Sequence, residues 1–237
     1  MGVASELPAV PSLALGVADL SISELASVYS TFVNQGIPVQ PFIIRSIENK
    51  KGEVLYKREI KSQKQVLTNE TCSMMIDMLK SVVDYGTASR LRWKYGIDGE
   101  VIGKTGTTQG NTDGWFASAT PNLVMISWVG ADNPNFRFES TSLGQGANTA
   151  LPITALFLKK VYQDEAFSVL ADAKFPKLSP DIAKKMDCLP EIEDASLLEK
   201  IFGKRDKTAT KEFGDSTSSS TKTIGERLKG LFRKKKN

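Results

Sequence analysis

Lys104, Thr105, Gly106 and Thr107 follow one another inside the run Gly103 to Thr108. Together they have the makings of an anion receptor. On a strand edge, an ammonium, two hydroxyls and a free backbone N–H can converge on one negatively charged ligand. A phosphate-binding loop is excluded, because it needs Gly at position 98, where Asp98 stands. The residues after Thr105 (Gly106-Thr107-Thr108-Gln109-Gly110) do not read as a helix start either. Lys-Thr-Gly alone is a weak pattern, found also in ordinary surface hairpins, so its meaning depends on context.

The chain contains no histidine. Ser-His-Asp triads, Cys-His pairs and His-based zinc sites are therefore excluded. An acyl transfer built on this chain must take Lys, a carboxylate or Tyr as its base. Cys72 and Cys188 are too few for a disulfide framework and too far apart for a metal knuckle. Cys72 sits among apolar residues and reads as a small core residue, while an oxidising compartment would permit one disulfide between the two. No metal or cofactor is expected.

At 237 residues, 41% hydrophobic and 24% charged, the chain suffices for one core with an appended segment. Its net charge of +4 is unevenly spread. Residues 203–237 hold eleven Lys/Arg against four Asp/Glu, so the rest is mildly acidic. No nucleic-acid-binding face is expected. No stretch of about 18 apolar residues is present, and the first residues lack a basic-then-apolar signal pattern. A targeting element, if the protein is exported, is expected upstream.

The elements that must position the run can be read from periodicity. Ser21-Ile22-Ser23-Glu24 fits a capping box, with Leu25, Val28, Tyr29, Phe32 and Val33 at helical spacing. Gly36 is expected at the C′ position. Residues 42–47 and 54–56 read as a hairpin around Asn49-Lys50-Lys51-Gly52. Thr68 or Asn69 caps a second helix carrying Cys72, Met75, Ile76, Leu79, Val82 and Val83, which stops near Gly86. Strands over 101–107, 115–119 and 123–129 have connections short enough for an antiparallel meander. Residues 150–162 form a last helix with Pro152 in its first turn, and apolar residues around most of it predict burial. The class is α+β, an antiparallel sheet flanked by helices. Three regions are expected: a main domain over 1–175, an extension over 176–202 with a short helix near Leu197, and a disordered basic tail over 203–237. Ile224, Leu228, Leu231 and Phe232 share one helical face beside a Lys/Arg run, which reads either as a surface-binding segment or as a solvated tail.

Five blocks in order resemble class A, bifunctional penicillin-binding proteins, in the C-terminal half of their transpeptidase domain. They are Pro11 to Gly16 with Ser30 to Gly36; Gly86-Thr87-Ala88; Gly103 to Thr108 with Asp113 to Phe116; Trp128 to Asp132; and Gly146-Ala147 with Ala150 to Ile153. The resemblance implies a partial serine β-lactamase/penicillin-binding-protein transpeptidase fold. It gives Lys104 a catalytic role, as a cation beside the serine nucleophile that helps proton movement. It gives Thr105 and Thr107 the binding of the substrate's terminal carboxylate, and the Thr107 N–H half of an oxyanion hole. Gly106 would admit substrate backbone, and Asp113 and Trp115 would be a turn residue and a core aromatic.

Two motifs of that family are missing from their places. The sequence has one Ser-x-x-Lys, Ser219 to Lys222, on the wrong side of the Lys-Thr-Gly run, and no Ser-x-Asn. No nucleophile is therefore expected in this chain, and it is expected to be inactive alone. The resemblance further implies a parent that cross-links peptidoglycan stem peptides, is acylated by β-lactam antibiotics, and supplies the missing N-terminal half of the domain. It implies a membrane anchor and a place on the extracytoplasmic face of a bacterial inner membrane. A non-catalytic envelope module and a monofunctional D,D-peptidase or β-lactamase relative stay open as alternatives.

Overall fold

A three-stranded antiparallel sheet carries the candidate residues: β3 (Ile102–Thr107), β4 (Asp113–Ala119) and β5 (Val124–Gly130), in the order β3-β4-β5. The computed structural model describes residues 1–60, 63–133 and 135–186. Residues 187–237 are outside it, and with them Cys188, the helix near Leu197, Ser219 and the basic tail. Two-residue periodicity assigns the strand residues to faces. Ile102, Ala117 and Ala119 pack beneath α1 (Ile22–Val33) and α2 (Asn69–Asp84), against Tyr29, Phe32, Ile76 and Leu79. Phe116 points the other way, into a cluster with Leu91 of α3 (Arg90–Trp93) and Leu151, Ala155 and Leu158 of α5 (Leu151–Gln163). Phe116, Leu91, Leu151 and Leu158 are fully buried. Each such side chain contributes about 2 kcal/mol by leaving water.

The helix starts follow the sequence reading. Ser21 and Glu24 make the reciprocal capping box: the Glu24 N–H donates to Ser21 Oγ at 3.3 Å and the Ser21 N–H to Glu24 Oε2 at 2.9 Å. Thr68, the first of the two expected caps, accepts from the Thr71 N–H at 3.1 Å. Cys72 is buried in α2, as expected, and burial pushes its thiol pKa up.

Three details depart from expectation. Gln35, not Gly36, takes the left-handed C′ position of α1, at φ 55°. Gly36 comes one residue later and donates its N–H to Thr31 O at 2.8 Å, the closing bond of a Schellman turn. The hairpin strands are β1 (Ser46–Glu48) and β2 (Val54–Lys57), so residues 42–45 are not strand. Asn49 Oδ1 accepts from the Lys51 and Glu53 N–H groups and closes their turn. Finally, α5 buries one face only: Leu151, Thr154, Ala155 and Leu158 are buried, while Ile153, Leu156 and Phe157 are half exposed.

Past α5 the chain returns across the molecule. Glu100 receives the Lys80 ammonium at 2.9 Å on one oxygen and the Phe175 N–H at 2.7 Å on the other. This ties α2 to the segment leading to α6 (Pro180–Met186), a helix not foreseen from sequence. No described helix is long and apolar enough to cross a membrane.

Candidate active site

β3 is an edge strand among the described residues, and its register decides what that edge offers. Lys104 is opposite Ala117, and Thr107 is opposite Gly114. The Thr108 N–H donates to Asp113 O at 3.3 Å, so position 108 directs its backbone groups toward β4. Backbone direction alternates along an antiparallel strand. Positions 106 and 104 therefore also face β4, while the N–H and C=O of Thr107 and Thr105 point outward. Lys104 is exposed, and its Nζ donates to the outward Thr105 carbonyl at 2.7 Å. The ammonium thus lies along the free edge, with two of its three N–H donors left.

Side chains alternate as well. Thr105 and Thr107 share one pleat face and Lys104 takes the other, so the three meet around the edge rather than on one surface. Each threonine hydroxyl has a partner from a different element. Thr105 Oγ1 is 2.7 Å from Thr87 Oγ1, in the turn after α2. Thr107 Oγ1 accepts from the Gly146 N–H at 3.2 Å, in the segment joining α4 (Thr141–Gly144) to α5. That segment lies hard against the sheet: a Cβ on Gly146 would come within 2.2 Å of Trp115 O and 2.5 Å of Gly106 O. Fully buried Ala150 and Leu151 hold it there.

Sequence reasoning named Lys104, Thr105, Gly106 and Thr107, and the structure brings all four to one strand. It missed Thr87 and Gly146 as supports of the site. Both were visible as parts of sequence blocks, but a hydrogen bond across 18 or 39 residues has no local signature. Gly106 has an added reason to lack a side chain, since a Cβ would sit 3.1 Å from Trp115 Cβ. Asp113 is the first residue of β4 rather than a turn residue; its N–H donates to Thr108 Oγ1 at 3.0 Å and its buried Oδ1 has no partner among the described residues. Trp115 is half-buried, its ring tilted against Trp128 at 6.2 Å.

The site is the open edge of β3. A cleft of about 450 Å³ lies beside β2, lined by Asn34, Pro38, Phe42 and Arg58 among others, with no β3 residue in its wall. Tyr29 is ruled out as a base, since it is buried in the core and burial pushes its pKa up to about 12. What the edge can do is bind: a carboxylate at the hydroxyls, a carbonyl oxygen at the Thr107 N–H, and developing negative charge near Lys104.

The chain is similar to known proteins in sequence and fold. The family described as "Penicillin binding protein transpeptidase domain" matches residues 9–163. Penicillin-binding protein 1A of Aquifex aeolicus is 35% identical over 164 residues, covering 67% of this chain and 21% of its own length. Penicillin-binding protein 1B of Haemophilus influenzae is 31% identical over 155 residues, covering 65% of this chain and 19% of its own. The chain thus spans about a fifth of the length of these relatives. Among solved structures, penicillin-binding protein 1A from Haemophilus influenzae aligns with TM-score 0.59 and 24% identity, over 70% of this chain and 29% of that one. PonA1 from Mycobacterium tuberculosis, in complex with penicillin V, aligns with TM-score 0.56 and 22% identity, over 75% of this chain and 50% of that one. At such identities the two structures speak for the fold alone. The family match covers well over half the chain, on the strands and helices that build the β3 edge, and this protein belongs to the penicillin-binding-protein transpeptidase family.

Proposed function

We propose that this chain is the carboxylate-binding and oxyanion-binding wall of a peptidoglycan D,D-transpeptidase, within a class A bifunctional parent. The supporting observation is the free edge of β3. Thr107 directs its N–H outward, and the Thr105 and Thr107 hydroxyls and the Lys104 ammonium border the same edge. A stem peptide ending in D-Ala-D-Ala would lay its backbone along β3, with its terminal carboxylate at the two hydroxyls. The scissile carbonyl oxygen would take the Thr107 N–H as one of its two donors, and Lys104 would stabilise charge as the tetrahedral intermediate forms. The serine attacks the carbonyl, D-Ala leaves with the proton, and the acyl-serine ester is then opened by an acceptor amine. β-Lactams would acylate the same serine without release of a leaving group. That serine and its Lys base belong to a Ser-x-x-Lys segment outside residues 1–237, joined in the parent to a glycosyltransferase domain and a membrane anchor on the extracytoplasmic side.

Labelled penicillin tests this by intact mass. The 237-residue chain is expected to form no covalent adduct, and the parent carrying the missing half to form one per molecule. In that parent Lys104→Ala should slow acylation at least tenfold with an unchanged melting temperature, because an exposed side chain adds little to stability. A stoichiometric adduct on any serine of residues 1–237 would overturn the division of the site. Unchanged acylation of the Lys104 variant would remove the role given to that residue.

A further inference from the structure

We propose that Thr87 is a positioning residue for Thr105, fixing that hydroxyl as a donor toward a ligand carboxylate; the inference rests on the reading of the β3 edge as a carboxylate receptor. Thr87 stands in the turn that closes α2. The turn is firm: the Ala88 N–H donates to Val82 O and the Ser89 N–H to Gly86 O, both at 3.1 Å. Ala88 and Val83 anchor it, each fully buried. The Thr87 side chain is exposed, yet its hydroxyl lies 2.7 Å from that of Thr105 rather than in open solvent.

The direction of the hydrogen bond follows from proton counting. A hydroxyl has one proton and two lone pairs, and a carboxylate only accepts. For Thr105 to bind a carboxylate, its single proton must point to the ligand. The proton in the Thr87–Thr105 bond then comes from Thr87, and hydroxyls donating in series polarise one another. Thr107 is set the same way by a group that has no choice, since the Gly146 N–H can only donate. Two hydroxyls on one pleat face thus each receive a hydrogen bond and keep a proton for the ligand. Thr87 touches no reacting atom; it acts through Thr105.

The test uses the 237-residue chain labelled with ¹⁵N, held at a concentration where sedimentation shows it monomeric, and titrated with N-acetyl-D-Ala-D-Ala, and separately with its C-terminal carboxamide. Amide shifts of Thr105, Thr107 and Gly146 report binding. Thr87→Ser should keep the dissociation constant of the carboxylate ligand within about twofold, because it keeps the hydroxyl. Thr87→Val and Thr87→Ala should each weaken it about five- to tenfold, the loss of the one neutral hydrogen bond that orients the Thr105 hydroxyl. Melting temperatures should not move, and carboxamide binding should be the same in all variants. In a Thr105→Val background, Thr87→Val should add nothing. Wild-type affinity in Thr87→Val, or a loss that persists without the Thr105 hydroxyl, overturns the proposal while leaving the receptor reading intact. A wild-type chain that shows no carboxylate binding at Thr105 and Thr107 overturns both.

Discussion

Gly146 shows how a residue with no functional group can decide the geometry of this site. Its N–H holds Thr107, and its missing side chain lets the α4–α5 segment lie on the sheet. A methyl group there would meet two backbone oxygens, Trp115 O at 2.2 Å and Gly106 O at 2.5 Å. Backbone within a sheet yields less than the tip of a flexible side chain would. Gly146→Ala is therefore expected to cost about 2 kcal/mol or more from overpacking, read as a lowered midpoint in chemical denaturation. It should also disturb the Thr107 amide more than that of Lys104, whose side chain takes the opposite pleat face. A variant as stable as wild type would show that the segment does not press on β3. The sequence displays Gly146, Thr87 and Lys104 alike as single letters. Only Lys104 was legible as chemistry, because its meaning lies in a contiguous tetrapeptide while theirs lies in partners far along the chain.

Helix starts were the most legible elements, since a cap is specified within four residues. Ser21 with Glu24, and Thr68, stand where the sequence put them. Burial of α5 was misjudged because periodicity counts apolar residues and cannot say what covers them. Glu100 illustrates a link no local pattern carries, joining α2 to the chain at Phe175. Burial alone would raise its pKa. The Lys80 ammonium, the Phe175 N–H and the charge of Lys174 outweigh that and hold it below the usual carboxylate value. A carboxyl depressed by folding adds stability that is fully present above its unfolded pKa of about 4.3 and is lost as pH falls through the lower folded value. Wild-type stability should therefore decline from pH 5 toward pH 3. Glu100→Gln should lower stability by about 2 kcal/mol at pH 7, with Lys80 left unpaired. Its pH dependence over that interval should be flatter than that of wild type, measured by denaturation at each pH. Parallel slopes for the two proteins would mean that other carboxyls carry the acid sensitivity.

At the scale of the whole fold, the described residues leave much apolar surface to water. Every residue of strands β1 and β2 is exposed, including Ile47, Val54, Leu55 and Tyr56, and Ile43 beside them is fully so. A two-stranded hairpin with no packed face is marginal by itself. Half-exposed Ile153, Leu156 and Phe157 add a second patch on α5. Among the described residues, β3 and β5 each pair on one side only, so the sheet also ends in two open edges. Open edges and apolar patches of this kind favour pairing with other chains. Such surfaces support the proposed reading, in which this chain shares its domain with further polypeptide. The purified 237-residue chain is therefore expected to self-associate with rising concentration, seen by sedimentation velocity as a shift to larger species. It should also bind a dye that reports apolar surface. Ile43→Ser with Leu55→Ser should reduce both signals and change stability by no more than about 0.5 kcal/mol per site, since neither side chain is buried. A monodisperse monomer at about 100 µM that binds no dye would show that these surfaces need no cover and would count against the shared-domain reading.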